Sequence, residues 1–270
     1  MAGESLLVSI GKVGLGVVVV VPLLVYFMQD SLIFYRQPTS EARRVDIAKR
    51  FPAVKEVFLE TADGTKLHAW HVAGSGPTVL YFGGNAEEVS RMLDEVAQKP
   101  AASWFLMDYR GYGGSSGAPS EKALVADAKL LFDYAVKQPG VDPKRVHAFG
   151  RSLGSGVAVA LAAERPLAGL ILVAPFDSLA AVAKRYYWYL PVDLMLKHRF
   201  DSIELAARLR LPLLCLIATR DEVIPPVHAE RLFDAWGGAK QKVALLDASH
   251  NTSDSHPLFW PAIREFLAKH

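Results

Sequence analysis

Residues 145–164 read RVHAFGRSLGSGVAVALAAE. RVHAFG (145–150) is a short apolar run of the strand type, and from Gly150 to Glu164 a chain of small residues suits a helix. Between the two lies Gly150-Arg151-Ser152-Leu153-Gly154, a G-x-S-x-G pattern. Glycines on both sides of the serine remove Cβ clashes, so the chain can turn sharply from strand to helix and lift the Ser152 hydroxyl above the sheet edge. Alone the pattern is a weak signal, because glycine is common and a solvent-facing serine in a turn would look the same.

Working outward, short β-rich runs alternate with helical patterns. EVFLE (56–60), the turn signal Asp63-Gly64 and KLHAWHV (66–72) predict a hairpin. TVLYF (78–82), SWFLMDY (103–109), GLILVA (169–174), LPLLCLIA (211–218) and KVALLD (242–247) predict five further strands, eight with the 145–150 run. Helical patterns fill 86–98, 119–137, 226–235 and 257–268. Such alternation predicts an α/β fold with a mostly parallel sheet and helices on both faces. Ligands of such sheets bind beyond the carboxyl ends of the strands, so chemistry is expected after residues 82, 109, 150, 174, 218 and 247.

A serine nucleophile needs a base, and the base needs an orienting acid. In this architecture the chain order is Ser, acid, His. Asp221 follows one strand and His250 follows the last, so Ser152, Asp221 and His250 can converge. His256 is the rival base; Glu222, Asp177 and Asp247 are rival acids. An oxyanion formed on attack would need backbone donors. The N–H of Leu153 supplies one, and the loop Gly83-Gly84-Asn85-Ala86 the other, with Asn85 preferred and Gly84 and Ala86 as alternates. Charged residues of the segment Asp108 to Ser115 are expected to lock a loop. His68 and His71 lack metal spacing, and no glycine-rich loop has the order of a nucleotide site. No cofactor or metal is expected.

These residues together resemble the α/β-hydrolase superfamily over about residues 55–268. The likeness is to the serine-aminopeptidase-like, lysophospholipase-like branch, which includes membrane-anchored α/β-hydrolase domain proteins. It is carried by Gly83-Gly84-Asn85, Asp108 to Ser115, Gly150 to Gly154, Asp221 to Pro225 and Ala248 to Asn251. The resemblance implies Ser152 as nucleophile, Asp221 as acid and His250 as base. Two positions depart from the branch: Gly83 stands where a histidine is usual, and Ala248 where a glycine is usual. Animal relatives that remove palmitate from proteins carry an amino-terminal cysteine cluster, which this chain lacks.

The chain has 270 residues, 51% of them apolar, with a formal net charge of +2. That composition excludes a disordered chain, and the near-zero charge argues against a nucleic-acid binder. A single cysteine, Cys215, excludes an intramolecular disulfide and a multi-cysteine zinc site. Mean hydropathy is +0.18, high for a soluble protein, and nearly all of the excess sits in residues 1–30. Residues 6–28, LLVSIGKVGLGVVVVVPLLVYFM, carry one charge, Lys12. They are read as a single-pass transmembrane anchor, with a cleaved signal peptide and a buried core helix as alternatives. Arg36, Arg43, Arg44, Lys49 and Arg50 follow the span and would place the next domain in the cytoplasm, unless they belong to a folded domain, where the rule weakens.

The expected organisation is an anchor at 1–30, a linker at 31–54 and a hydrolase domain at 55–270 with a lid-like insertion at 175–210. In that insertion Tyr186, Tyr187, Trp188 and Tyr189, mixed with basic residues, suit a membrane interface or pack over the core. Anchor and lid together predict a serine hydrolase that cleaves acyl esters or thioesters of lipid-like substrates at a membrane. A serine aminopeptidase would instead need an acidic pocket for the substrate ammonium, and a non-catalytic membrane scaffold would need no intact Ser-His-Asp set.

Overall fold

The computed structural model describes residues 20–98 and 101–270. A helix runs through residues 20–33 (α1), followed by α2 (Glu41–Arg50). Then come β1 (Lys55–Glu60), β2 (Lys66–Val72), β3 (Thr78–Phe82), a 3₁₀ turn leading into α3 (Leu93–Val96), β4 (Ser103–Asp108) and α4 (Glu121–Ala135). The second half holds β5 (Val146–Arg151), α5 (Leu153–Glu164), β6 (Gly169–Val173), α6 (Leu179–Tyr186), α7 (Val192–Met195) and α8 (Ser202–Ala206). It closes with β7 (Leu213–Ala218), α9 (Pro226–Ala235), β8 (Lys240–Leu245) and α10 (Phe259–Lys269).

The eight strands form one sheet in the order β1-β2-β4-β3-β5-β6-β7-β8. β2 is antiparallel to both neighbours and every pair from β4 to β8 is parallel. The expected eight-stranded, mostly parallel sheet is therefore present, including the β1–β2 hairpin with Glu60 opposite Lys66. Alternate residues of the central strands feed two cores, as a period of two requires. Leu80 and Phe82 pack with Leu131 of α4 and Val157 of α5 on one face. Val79 and Tyr81 pack with Leu93 of α3 and Ile263 of α10 on the other.

From β3 the chain crosses to β4 on one side and then to β5 on the other. The direction of winding thus reverses between β3 and β5, which opens a crevice at their carboxyl ends. Ser152 follows β5 and Asn85 follows β3, so both sit at that crevice.

Three expectations need adjustment. The helix predicted over 86–98 is confined to Val89–Val96, because Ala86 takes a left-handed φ of 60° and the capping Glu88 is extended, which keeps 86–88 out of the helix. The linker contains α2, which is capped by Ser40 and tied to the domain by Arg43–Asp94, Arg50–Asp94 and Arg44–Glu56 ion pairs. Those arginines belong to a folded unit, so they do not report on membrane sidedness. Residues 6–19 of the expected span lie outside the described residues, and 20–28 are part of α1. Among the described residues no helix is long and apolar enough to cross a membrane.

Candidate active site

Ser152 caps α5 with φ 51° and ψ −118°, a backbone conformation that L-residues avoid. Packing holds it there. The Ser152 N–H donates to the Val173 carbonyl at 2.9 Å, and the Ser155 hydroxyl donates to the Ser152 carbonyl at 2.6 Å. The flanking glycines permit the close approach of strand and helix. A Cβ on Gly154 would lie 2.0 Å from the Phe82 carbonyl oxygen of β3, and one on Gly150 would lie 2.4 Å from that of Gly154. Both of these nearest contacts are backbone atoms, which cannot swing aside.

The structure brings the three expected side chains together. His250 Nε2 is 3.1 Å from Ser152 Oγ, and His250 Nδ1 is 2.7 Å from Asp221 Oδ2. All three residues are buried. Asp221 Oδ1 accepts N–H bonds from Val223 at 2.9 Å and Ile224 at 2.7 Å, so its second oxygen is aimed at the imidazole. The Arg151 guanidinium donates to the His250 carbonyl at 3.3 Å and pairs with Asp254 at 3.1 Å, fixing the histidine loop. In this arrangement His250 can take a proton from Ser152 while Asp221 holds the ring and its positive charge.

None of the rival residues reaches Ser152 or His250 with a side-chain hydrogen bond among the described residues. Asp177 Oδ1 binds His228 Nδ1 at 2.8 Å. Asp247 is exposed and pairs with Arg220, Glu222 is exposed, and the Nδ1 of His256 accepts from the N–H of Leu258. The Asp108 segment locks a loop as expected. Asp108 Oδ2 lies 2.6 Å from His68 Nδ1 and accepts from the Gly114 N–H, while Arg110 forks onto Asp127.

The oxyanion candidates separate. Gly84 is ruled out as a donor, because its N–H already donates to Glu87 Oε2 at 2.6 Å. The Asn85 N–H has no acceptor among the described residues, and the Leu153 N–H opens the first turn of α5, where helix N–H groups lack an internal acceptor. The Asn85 side chain pins its own loop, since its carbonyl oxygen accepts from Tyr35 N at 2.8 Å and from Tyr112 OH at 2.9 Å. Sequence reading missed Glu87. It accepts from both Gly84 N and Tyr81 OH, and a Cβ on Gly83 would lie 3.1 Å from its Cδ. Glu87 therefore braces the loop at the point where the branch usually has a histidine. Burial, with the Glu87 carboxylate beside it, pushes the Tyr81 phenol well above its ordinary pKa, so Tyr81 remains a proton donor to Glu87.

Ser152 stands between two cavities. One, of about 380 Å³, is lined by apolar residues such as Leu153, Phe176, Val182 and Ile224, and among the described residues none that line it is charged. The other, of about 640 Å³, is lined by Glu87, Glu88, Arg91, Glu95, Arg151 and Asp254 among others. Tyr186 and Tyr187 line the apolar cavity, and Tyr186 OH donates to the carbonyls of Glu222 and Val223. All four aromatics are exposed, and Trp188 and Tyr189 are not among the described residues that line this cavity. Among the described residues no group of three or more His, Cys, Asp or Glu side chains could hold a metal ion.

Residues 77–197 match the family described as serine aminopeptidase, S33. An uncharacterized Mycobacterium tuberculosis protein is 37% identical over 92% of this chain and 90% of its own length. The Arabidopsis thaliana alpha/beta hydrolase domain-containing protein WAV2 is 30% identical over 82% of this chain and 80% of its own. An uncharacterized membrane protein of Saccharomyces cerevisiae is 28% identical over 90% and 89%. Among solved structures, the Pyrococcus furiosus esterase Pf2001 superposes with a TM-score of 0.70 at 20% identity, covering 87% of this chain and 96% of that one.

Proposed function

This chain belongs to the α/β-hydrolase superfamily and is a hydrolase, and we propose that it is a membrane-anchored serine esterase acting on acyl esters or thioesters of lipid-like substrates. The observation that carries the reading is the Ser152–His250–Asp221 chain of contacts, set on the strand-to-helix turn beside an uncharged cavity.

Ser152 Oγ attacks the acyl carbonyl carbon as its proton passes to His250 Nε2. The carbonyl oxygen, now negative, takes hydrogen bonds from the N–H groups of Leu153 and Asn85. His250 returns the proton to the departing alcohol or thiol, leaving an acyl-serine. A water then attacks the acyl carbon, its proton going to His250, which passes it on to Ser152 Oγ as the acyl–oxygen bond breaks and the fatty acid leaves. The uncharged cavity suits an acyl chain and the charged one a hydrophilic leaving group. The yeast relative described as a membrane protein and the apolar sequence at 6–28 support the anchor.

The aminopeptidase alternative rests on the carboxylates of the second cavity. Three of the four are already engaged: Glu87 by Tyr81 and Gly84, Glu88 by Thr39 and Ser90, and Asp254 by Arg151. That leaves little for a substrate ammonium, and the ester reading is the stronger.

The test is activity-based. A fluorophosphonate probe should label the wild type and not Ser152→Ala, and the wild type should hydrolyse acyl esters presented in vesicles. Equal labelling of both proteins would refute the assignment of Ser152, and a protein that cleaves aminoacyl amides but no ester would return the peptidase reading.

A further inference from the structure

The inner face of α1 is read from its burial. Val25, Gln29 and Ile33, four residues apart, turn toward the domain, whereas Leu23, Leu24, Phe27 and Met28 are exposed. Gln29 is only 4% exposed and uses both ends of its amide on the lid: Nε2 donates to the Met195 carbonyl at 3.1 Å, and Oε1 accepts from Lys197 N at 2.8 Å. The adjacent Asp30 has its Oδ1 2.9 Å from His198 Nε2, and about one turn on the buried Phe34 ring stands edge-on to His198 with centroids 5.0 Å apart. Just past the helix, Tyr35 N reaches Asn85 of the loop that supplies the proposed oxyanion donor. The segment is thus fastened to the lid on one side and to the Asn85 loop on the other.

This placement makes α1 a wall of the cavity at Ser152. Val25, Leu32 and Ile33 line it opposite lid residues such as Leu190 and Met195. The walls are also apolar on their outer sides, with Phe27 73%, Trp188 81% and Leu194 86% exposed. A cavity that touches the nucleophile, has no charged residue among its described lining and is walled mainly by aliphatic and aromatic side chains fits the hydrocarbon tail of an ester better than a polar acyl group.

We propose that α1 forms the acyl-chain subsite together with the lid, and that Val25, Leu32 and Ile33 set the preference for long acyl chains. Helix α1, whose residues 20–28 are the end of the apolar sequence at 6–28, is then a specificity element and not only a tether. The inference rests on the esterase reading above.

The full-length protein in detergent is tested on p-nitrophenyl butyrate and p-nitrophenyl palmitate, with fluorophosphonate labelling as the check that the nucleophile is intact. The wild type is expected to prefer palmitate in kcat/KM. Val25→Trp and Ile33→Trp, made separately, fill the cavity from the α1 side. Each is expected to keep labelling while the palmitate-to-butyrate ratio of kcat/KM falls about tenfold or more, the scale on which apolar pockets discriminate by size. Should the fillers fold poorly, Leu32→Ala opens the wall from a more exposed position, and it should likewise change the palmitate-to-butyrate ratio. Labelled variants whose ratio equals that of the wild type overturn the inference and leave the esterase reading standing, as does a wild type that cleaves butyrate but not palmitate. A wild type that cleaves neither ester removes both.

Discussion

Asp177 binds His228: its Oδ1 lies 2.8 Å from the imidazole Nδ1, and both side chains are buried. Asp177 follows β6 and so stands at a strand tip, as Asp221 does after β7, yet only Asp221 reaches His250. Asp177 also accepts the Ser178 N–H and carries the Ile203 N–H on its carbonyl, so it fastens the lid insertion to α9.

The two aspartates should therefore separate in mutagenesis. Asp221→Asn is expected to lower kcat roughly 10⁴-fold with little loss of Tm, because an amide holds His250 in the wrong tautomer. Asp177→Asn is expected to keep ester turnover near the wild-type rate and to cost about 1–3 kcal/mol of stability through a poorly matched buried pair. Ester kinetics and thermal melts on both variants check this. Loss of turnover confined to Asp177→Asn would reverse the assignment.

Gly154→Ala should be far more damaging than a methyl group suggests. The added Cβ would meet the Phe82 and Gly83 carbonyl oxygens at 2.0 and 2.6 Å. Strand β3 and helix α5 would have to separate, at a cost of at least about 2 kcal/mol. A lowered Tm together with lost fluorophosphonate labelling is the expected result.

Glu87→Ala tests the brace under the Asn85 loop. It frees Gly84 N–H and Tyr81 OH and lets the loop drift. The expected effect is on kcat, up to roughly a hundredfold, with KM nearly unchanged, since misplacement of a donor by about 1 Å acts on the transition state. A rise in KM at constant kcat would show Glu87 to be a substrate-binding group instead.

His147 gives a pH dependence of stability. It is buried in β5 against Phe266, neither ring nitrogen has a hydrogen-bond partner among the described residues, and burial pushes its pKa down to about 4 from 6.5. Above pH 6.5 both folded and unfolded forms are neutral and nothing is lost. Between pH 6.5 and 4 the unfolded chain binds the proton and the folded one does not, so stability falls by about 1.4 kcal/mol per pH unit, on the order of 3 kcal/mol in all. His147→Leu should flatten that part of the curve in denaturant titrations at several pH values. An unchanged slope would assign the acid sensitivity to other groups.

Much of the molecule is legible in its sequence, and the reasons are local. The runs at 78–82, 103–108, 146–150 and 169–173 are largely apolar and are buried at every position, which suits strands covered on both faces. The G-x-S-x-G turn is legible because its glycines answer a steric demand within five residues. The order Ser, Asp, His was enough to nominate Ser152, Asp221 and His250. Helix α2 escaped because a short charged segment has little apolar periodicity, and its stability comes from ion pairs with Asp94 and Glu56 farther along the chain.

The sequence by itself determined the kinds of elements, their order, the sharp turn at Ser152 and the set of candidate acids, because backbone sterics and hydrophobic periodicity act over a few residues. Only the tertiary structure decided that Asp177 serves His228, that Glu87 takes the Gly84 N–H, and that α1 closes the cavity beside Ser152. Those outcomes depend on contacts of about 3 to 4 Å between segments brought together only by the packed sheet, and contacts of that range are set by how the layers seat on one another.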